Sequence, residues 1–275
     1  MLEPAAYEHI TKNASDSVVE LLLQSKDPSI RYFTLTDILD KPKNSPEVEK
    51  AWRLIPSGPR VLILLDGQQS DGSFGVHPYQ KWTGAHWRLV SLVELGITSG
   101  SGAAVRATNL VLEWLLGEAH LRNVPKINGR YRRCASQEGN ALAVCSQLGL
   151  AEDPRVVKLA QSLVSWQWAD GGWNCDRDPE ADHSSVNESL STLWGLVEYQ
   201  HATGDRDFLK PIESVGILST TSSLPFRPHW RNNSFGHGQA ALPVVLALRY
   251  SPRAHYTLES EKATRPADQG SARHC

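Results

Sequence analysis

The chain has 275 residues, with 28 Lys and Arg against 30 Asp and Glu and a formal net charge of −2 at pH 7. This near balance, without a basic block, excludes the electrostatic footprint of a nucleic-acid-binding protein. The longest nearly apolar stretch, Ala240 to Leu248, is too short to span a bilayer, and the acidic start lacks the order of a signal peptide, so we expect a cytoplasmic protein with no transmembrane segment.

Four cysteines and nine tryptophans stand out in the composition. The cysteines are scattered and form no Cys-x-x-Cys pair, so we expect reduced thiols rather than a disulfide framework: Cys134, Cys145, Cys175 and Cys275. Tryptophan offers a large rigid π-face, which either packs loops against helices or lines a cavity.

An internal repeat organises the chain. Helical segments with similar entry signals recur about every 50 residues, near Ser29, Trp82, Cys134, Ser184 and Asn233. Each unit begins with a predicted first helix: Ile30 to Leu39, Thr83 to Leu95, Ala135 to Leu148 and Ser185 to Tyr199. A short turn and a returning second helix are predicted to follow, so each unit is a helical hairpin.

The second helices are clearest at Ala103 to Leu116 and at Pro154 to Trp166, where apolar residues recur at helical spacing. In the first unit, Pro56 and Pro59 divide the return into Pro46 to Leu54 and Arg60 to Leu65. No segment alternates convincingly with a period of two. A helical hairpin cannot bury both apolar faces alone, so the hairpins must stack into an all-α bundle, solenoid or closed ring.

The pattern weakens after about Leu209. Ile212 to Leu218 is a short apolar run, and the serines, threonines and prolines around Ser219 to Pro228 predict loop. A last helix is predicted over Phe235 to Tyr250. The polar stretch 251–275 is predicted to be a disordered tail, which leaves residues 1–250 as a single domain.

Two stretches share the pattern Gln-x3-Gly-x-aromatic: Gln68 to Phe74 and Gln167 to Trp173. They lie about two repeat periods apart, and each follows a second helix. A Gln amide can satisfy the orphan carbonyls of a helix end, Asp-Gly forms a tight turn, and the aromatic ring packs back.

These two stretches resemble the QW repeats of squalene-hopene and oxidosqualene cyclases, which are echoed in the β-subunits of protein prenyltransferases. The resemblance covers roughly Ser29 to Phe208. It implies an α/α toroid, with inner and outer helix rings around an apolar cavity that binds squalene, polyprenyl diphosphates or prenyl acceptors. Those families close with more hairpins than are predicted here, so we expect an incomplete or open ring, with completion by a homodimer as one alternative.

In the cyclases, an Asp-x-Asp-Asp motif supplies the acid that protonates an alkene or epoxide. Aligning the following helix puts Ser185-Val186-Asn187-Glu188 at that place, so the motif is absent and Glu188 is left as a lone acid, with Asn187 beside it as a substrate contact. A carboxyl in an apolar pocket has a raised pKa, as this role requires. Asp176 and Asp178 flank Arg177 and are predicted to stay ionised.

Protein prenyltransferases place a zinc-binding Asp and Cys in this loop, two residues apart. Asp182 falls near the first position, but Ser184 takes the place of the Cys. Thiolate, carboxylate and imidazole groups all bind zinc, so a rebuilt site is predicted from Cys175, His183 and either Asp176 or Asp182, with Asp176 the leading candidate. The alternative is that Cys175 is a small buried hydrophobe and that Asp182 or Ser184 caps the next helix.

Two other first-helix starts carry polar or aromatic groups. His86 lies one turn from Trp82, and Cys134, Glu138 and Asn140 gather before an apolar run. In a toroid these starts and His183 would converge on one cavity mouth, where aromatic faces can stabilise cations. The alternative is that Ser136 and Glu138 cap a helix, that His86 is a buried imidazole with its hydrogen bonds satisfied, and that the tryptophans belong to the core.

The leading hypothesis is an isoprenoid-converting enzyme, either a terpenoid cyclase or a prenyl transferase. Its catalytic candidates are Glu188, His183, Asp182, His86 and Glu138, and its substrate-binding candidates are Trp82, Trp87, Cys134, Asn140, Trp173 and Asn187. The cofactor candidates are Zn²⁺, or Mg²⁺ with a diphosphate substrate. The alternatives are a non-catalytic lipid-binding or scaffold protein, and a zinc-dependent enzyme acting on another small molecule.

Overall fold

Helices provide nearly all the regular structure of residues 16–221, the part of the chain that the computed structural model describes, with side chains to residue 215. This agrees with the predicted all-α class. The predicted helix over Phe235 to Tyr250, the domain boundary at residue 250 and the predicted tail 251–275 lie outside the described residues.

Prolines shape the first hairpin. After the helical residues 16–23, helix α1 (Pro28–Phe33) continues as a π-helical turn over Thr34–Ile38. The return consists of α2 (Pro46–Leu54), a 3-10 turn (Ile55–Ser57) and α3 (Pro59–Leu65). Each α-helix of this hairpin begins with a proline, at the position where the missing N–H is not needed.

The next three hairpins follow the predicted pattern closely. The second hairpin consists of α4 (Ala85–Glu94) and α5 (Gly102–Leu116). A short α6 (Glu118–Leu121) leads to the third, which consists of α7 (Ser136–Gln147) and α8 (Pro154–Trp166). The fourth consists of α9 (Val186–Thr203), a 3-10 turn (Arg206–Phe208) and α10 (Leu209–Thr221). The predicted helices that fall within residues 16–221 are thus confirmed, apart from small shifts at their ends.

Two local predictions of secondary structure were wrong. Residues 219–221 were assigned to a loop, but they belong to α10, where Pro211 falls in the first turn and so does not interrupt the helix. A short hairpin of β1 (Lys126–Ile127) and β2 (Arg130–Tyr131) was not predicted. Its turn is Asn128-Gly129, both with positive φ (47° and 77°), the sequence signature of a tight β-hairpin.

The first helices α4, α7 and α9 pack side by side in chain order, and the second helices α5 and α8 pack against one another and against this first layer. Between the layers lie leucines that are 0–1% exposed: Leu89, Leu92, Leu112, Leu115, Leu142, Leu159, Leu163 and Leu196. Within residues 16–221, no helix combines the length and the apolarity needed to cross a membrane.

Helices α7 and α9 make the closest contact because glycines face each other across it. A Cβ added to Gly139 would lie 2.5 Å from the Cα of Thr192 and 2.6 Å from the carbonyl oxygen of Ser191, and one added to Gly195 would overlap the carbonyl of Gly139. Only glycine permits this backbone approach. The contact brings the starts of both helices together.

The two Gln-x3-Gly-x-aromatic stretches adopt equivalent geometries. The Gln68 amide donates to the carbonyls of Gly72 (3.2 Å) and Ala103 (3.0 Å). The Gln167 amide donates to the carbonyls of Gly171 (2.8 Å) and Pro211 (2.9 Å). Each glutamine therefore joins its own turn to the first turn of the next second helix, rather than capping the preceding helix end as predicted.

We expect Gly139→Ala to destabilise the fold by about 1–3 kcal/mol, because the added methyl group meets backbone atoms that cannot move independently. Urea unfolding measures this change. Gly102→Ala, at the start of α5, is the matched control: its Cβ would meet nothing closer than 3.6 Å. Equal stability of Gly139→Ala and the control would contradict the close α7–α9 contact.

Candidate metal centre

Three metal-ligating side chains meet beside the starts of α7 and α9. The sulfur atoms of Cys134 and Cys175 and a carboxylate oxygen of Glu188 all lie within 4.8 Å of one another. Cys175 Sγ is 3.7 Å from Glu188 Oε1. Glu188 is 7% exposed, and both cysteines are partly buried. Among the described residues this is the group whose geometry can hold a metal ion.

The helix starts fix Glu188 in this cluster. Glu188 lies in the first turn of α9, and its Oε2 accepts a 2.8 Å hydrogen bond from the backbone N–H of Ser136 at the start of α7. A carboxylate bonded to a free N–H at a helix start is favoured by both the hydrogen bond and the helix dipole. One side chain thus links two helices and offers its other oxygen to the cysteines.

The loop between α8 and α9 carries Cys175, and backbone bonds attach it to the residues before α7. The Arg133 N–H donates to the Asn174 carbonyl at 3.0 Å, and Ser185 N–H donates to the Trp173 carbonyl at 2.7 Å. Arg132, only 2% exposed, donates from Nη1 to the Ala181 carbonyl at 2.9 Å. Cys134 and Cys175 are therefore brought together by paired backbone segments.

Burial and mutual contact shift the pKa values of the three groups in this cluster in different directions. A hydrogen bond with Cys175 lowers the pKa of Cys134, and the same contact raises the pKa of Cys175. Burial raises the pKa of Glu188, although its hydrogen bonds with Ser136 oppose this. Cys134 is therefore the first of the two thiols to become a thiolate, the form that attacks electrophiles and binds metals.

The donor set is compatible with zinc. Zn²⁺ accepts thiolate and carboxylate ligands, and catalytic zinc sites use three protein ligands with a fourth position open. Two sulfurs and one carboxylate oxygen provide such a triad. Calcium and magnesium prefer oxygen ligands alone, so the thiols favour a softer ion.

A second buried acid lies near the cluster. Glu138 is 1% exposed, and its Oε1 accepts hydrogen bonds from Arg133, through Nη2 and through Nε at 2.8 Å, and from His120 Nε2 at 3.0 Å. Its Oε2 is buried without a hydrogen-bond partner. Burial raises the pKa of Glu138 to about 7 despite Arg133, and burial lowers the pKa of His120 to about 4, so His120 is the neutral donor.

Aromatic rings form a continuous wall beside these acids. The Tyr79 ring lies 5.3 Å from His86, 5.8 Å from Trp87 and 5.2 Å from Trp114, and Trp114 lies 4.7 Å from His120. Burial raises the pKa of Tyr79, and its hydroxyl contacts Gln137. The nearby charges of Cys134, Glu188 and Glu138 raise the Tyr79 pKa further, so Tyr79 lies within electrostatic range of the metal-ligating group.

The predicted site residues thus fall into two sets. Cys134, Cys175, Glu188 and Glu138 gather at the helix starts, whereas Asp182 and His183 are exposed and contact one another. Asp176 is also exposed, and its Oδ1 accepts from the backbone of Asp178. The structure therefore brings Cys175 together with Cys134 and Glu188, rather than with Asp176 and His183.

The predicted substrate contacts differ in their access to solvent. Trp82 is 53% exposed, with a strained φ of 67°, and its ring lies 5.4 Å from that of Trp87. Trp173 is 1% exposed and donates its Nε1–H to the Leu163 carbonyl, so it packs in the core. Asn140 is buried on α7. Asn187 is exposed beside Glu188.

Sequence reasoning missed Tyr79, His120 and the pairing of the two cysteines. Tyr79 lies in a connecting segment and His120 in the short helix α6, and no periodicity marks either of them. The cysteines carried a weaker signal, because Cys134 lies directly before one first helix and Cys175 lies in the segment that leads to the next. Comparison of the chain with family models, curated proteins and solved structures finds no match.

His86 gives the fold a pH dependence. It is 2% exposed, and burial lowers its pKa to about 3. Below pH 6.5 the unfolded chain gains a proton here that the folded chain does not, so His86 makes stability fall with falling pH between about 6.5 and about 3, by up to about 1.4 kcal/mol per pH unit. We expect the free energy of unfolding of His86→Leu, measured with urea, to fall less steeply than that of the wild type between pH 6.5 and pH 4.5.

Comparing the variant with the wild type at each pH cancels the contributions that the other titrating groups make to stability. His201→Gln, which removes an exposed imidazole from α9, is the matched control and should keep the wild-type slope. Parallel slopes for wild type and His86→Leu would contradict the burial of a neutral imidazole at this position.

Proposed function

We propose that the chain is a zinc-dependent enzyme whose metal is held by Cys134, Cys175 and Glu188. The observation that supports this most is the convergence of two thiols and a carboxylate, from three separate segments, within 4.8 Å. Each residue is placed by a backbone feature that does not depend on the metal: the start of α7, the loop before α9 and the first turn of α9. Such preorganisation is what a metal site requires.

We further propose that the hairpins belong to an α/α toroid and that the substrate is an isoprenoid. Two features support this step: the resemblance to cyclase and prenyltransferase sequences, and the equivalent geometry of the two glutamine turns. A bound zinc would supply Lewis acidity, or activate a bound thiol or water by lowering its pKa. The expected reaction is prenyl transfer or terpenoid cyclisation.

The chain itself supplies a proton-transfer group. Glu138 is the best candidate, because Arg133 and His120 hold Oε1 while Oε2 has no hydrogen-bond partner. A pKa raised to about 7 lets Oε2 carry a proton near neutral pH. Glu188 was the predicted lone acid, but its bonds to Ser136 and Cys175 suit it better to binding a metal.

The aromatic wall is suited to binding the substrate. The Tyr79 ring contacts both Trp87 and Trp114 close to the acids, and Trp82 extends the wall to solvent. Such faces attract apolar chains and stabilise positive charge that develops during prenyl transfer. The wall therefore complements a cationic or unsaturated substrate better than a strongly polar one.

Zinc binding tests the metal site directly. We expect the purified full-length chain to bind one Zn²⁺ per molecule, measured by elemental analysis and by competition with a chelator. Cys175→Ser should weaken affinity by more than about a hundredfold, since altering even the residues around metal ligands costs about 10–100-fold. Cys145→Ala, which alters a fully buried thiol of α7, should leave affinity unchanged. Equal affinity for all three proteins would overturn the site.

Incubation of the zinc-loaded chain with polyprenyl diphosphates, with and without Mg²⁺, and with squalene tests the substrate class. We expect one of these to be bound and converted, and Glu138→Gln to lower kcat by about 10²–10⁴-fold while substrate binding persists. Circular dichroism checks that the variant folds. Zinc binding without any isoprenoid binding would assign the enzyme to another small molecule, and isoprenoid binding without conversion would indicate a lipid-binding protein.

A further inference from the structure

Cys134 and Cys175 form a pair, whereas Cys145, the third cysteine of the described residues, does not belong to it. Their sulfur atoms lie within 4.8 Å of one another, and both side chains are partly exposed. Cys145, by contrast, is fully buried in the core of α7. The two paired thiols therefore combine mutual proximity with access for a small oxidant.

We propose that Cys134 and Cys175 form a peroxide-sensitive dithiol, which closes to an intramolecular disulfide and thereby removes the metal site. The inference rests on the same cluster as the proposed zinc site. In the first step, one thiolate attacks a peroxide oxygen, the O–O bond breaks, and a sulfenic acid and water form after protonation. In the second, the other thiolate attacks the sulfenic sulfur and releases water. The peroxide is reduced, and two thiols are oxidised to one disulfide.

The backbone around the pair allows this closure. Disulfide formation requires the sulfurs to approach to about 2.05 Å, so at least one side chain must move. Cys134 precedes α7, which begins at Ser136, and Cys175 lies in the loop before α9, so neither is held in a helical interior. The bond between the Arg133 N–H and the Asn174 carbonyl keeps the two segments adjacent during the movement.

The chemical consequence is mutual exclusion between disulfide and metal. Oxidation removes two of the three donors and leaves Glu188 alone, which cannot hold zinc tightly. Zinc in turn binds both thiolates and withholds them from the oxidant. The site would therefore lose its metal under oxidising conditions and recover it after reduction.

The test uses full-length, metal-free protein carrying Cys275→Ser, because Cys275 lies outside the described residues and would add a fourth thiol. The protein is treated with an equimolar amount of hydrogen peroxide, unfolded and alkylated, and its free thiols are counted by mass spectrometry. We expect two of the three thiols to disappear, a Cys134–Cys175 cross-linked peptide to appear, and dithiothreitol to reverse both changes. Zinc at about one hundred times its Kd should slow the loss about a hundredfold.

Matched variants make the outcome specific. Cys145→Ala should still form the cross-link, whereas Cys134→Ser and Cys175→Ser, checked for helicity, should not. Three free thiols after treatment, oxidation of single cysteines to sulfinic acid, or cross-links only between molecules would each overturn the inference. The cross-link without zinc binding would defeat the proposed metal site alone, and zinc binding without the cross-link would defeat this inference alone.

Discussion

The hydrogen bond from the Ser136 N–H to Glu188 Oε2 is the interaction on which the rest of the site depends. It forms because Gly139 and Gly195 let α7 and α9 approach to backbone contact, so that the start of one helix lies beside the first turn of the other. A buried carboxylate without such a partner would be costly and would tend to be protonated. The same bond orients the second oxygen towards Cys175, so helix packing, charge stabilisation and ligand placement share one cause.

The separate roles proposed for the two buried glutamates follow from their different surroundings. Glu188 accepts from a backbone N–H and lies against a thiol, whereas Glu138 accepts from a guanidinium and a neutral imidazole through a single oxygen. Burial raises the pKa of both groups, but only Glu138 has a buried oxygen without a partner. Pairs of titratable groups in contrasting environments are typical of sites that separate binding from proton transfer.

The helical hairpins could be predicted because their information is local: apolar spacing, prolines at first turns and glycines after last turns. The pairing of Cys134 with Cys175 could not, because it depends on the register between the residues before α7 and the loop before α9, which no period specifies. The prediction therefore joined Cys175 to His183, its neighbour in sequence. The same limit applies to Tyr79, which reaches the acids only through the packing of α4, α5 and α7.

The position of the cysteines explains how one repeat architecture can hold such a site. In a hairpin repeat, the segments before consecutive first helices lie near one another, since each repeat contacts only its neighbours. Cys134 lies directly before α7, whereas Cys175 lies earlier in the loop before α9, where the bond between the Arg133 N–H and the Asn174 carbonyl holds it beside Cys134. Glu188 completes the group from the first turn of α9. Two neighbouring repeats are therefore sufficient to build the triad. The proposed metal site therefore lies at the α7–α9 contact, where the helices are held most closely, and it does not depend on whether the hairpins form a closed ring.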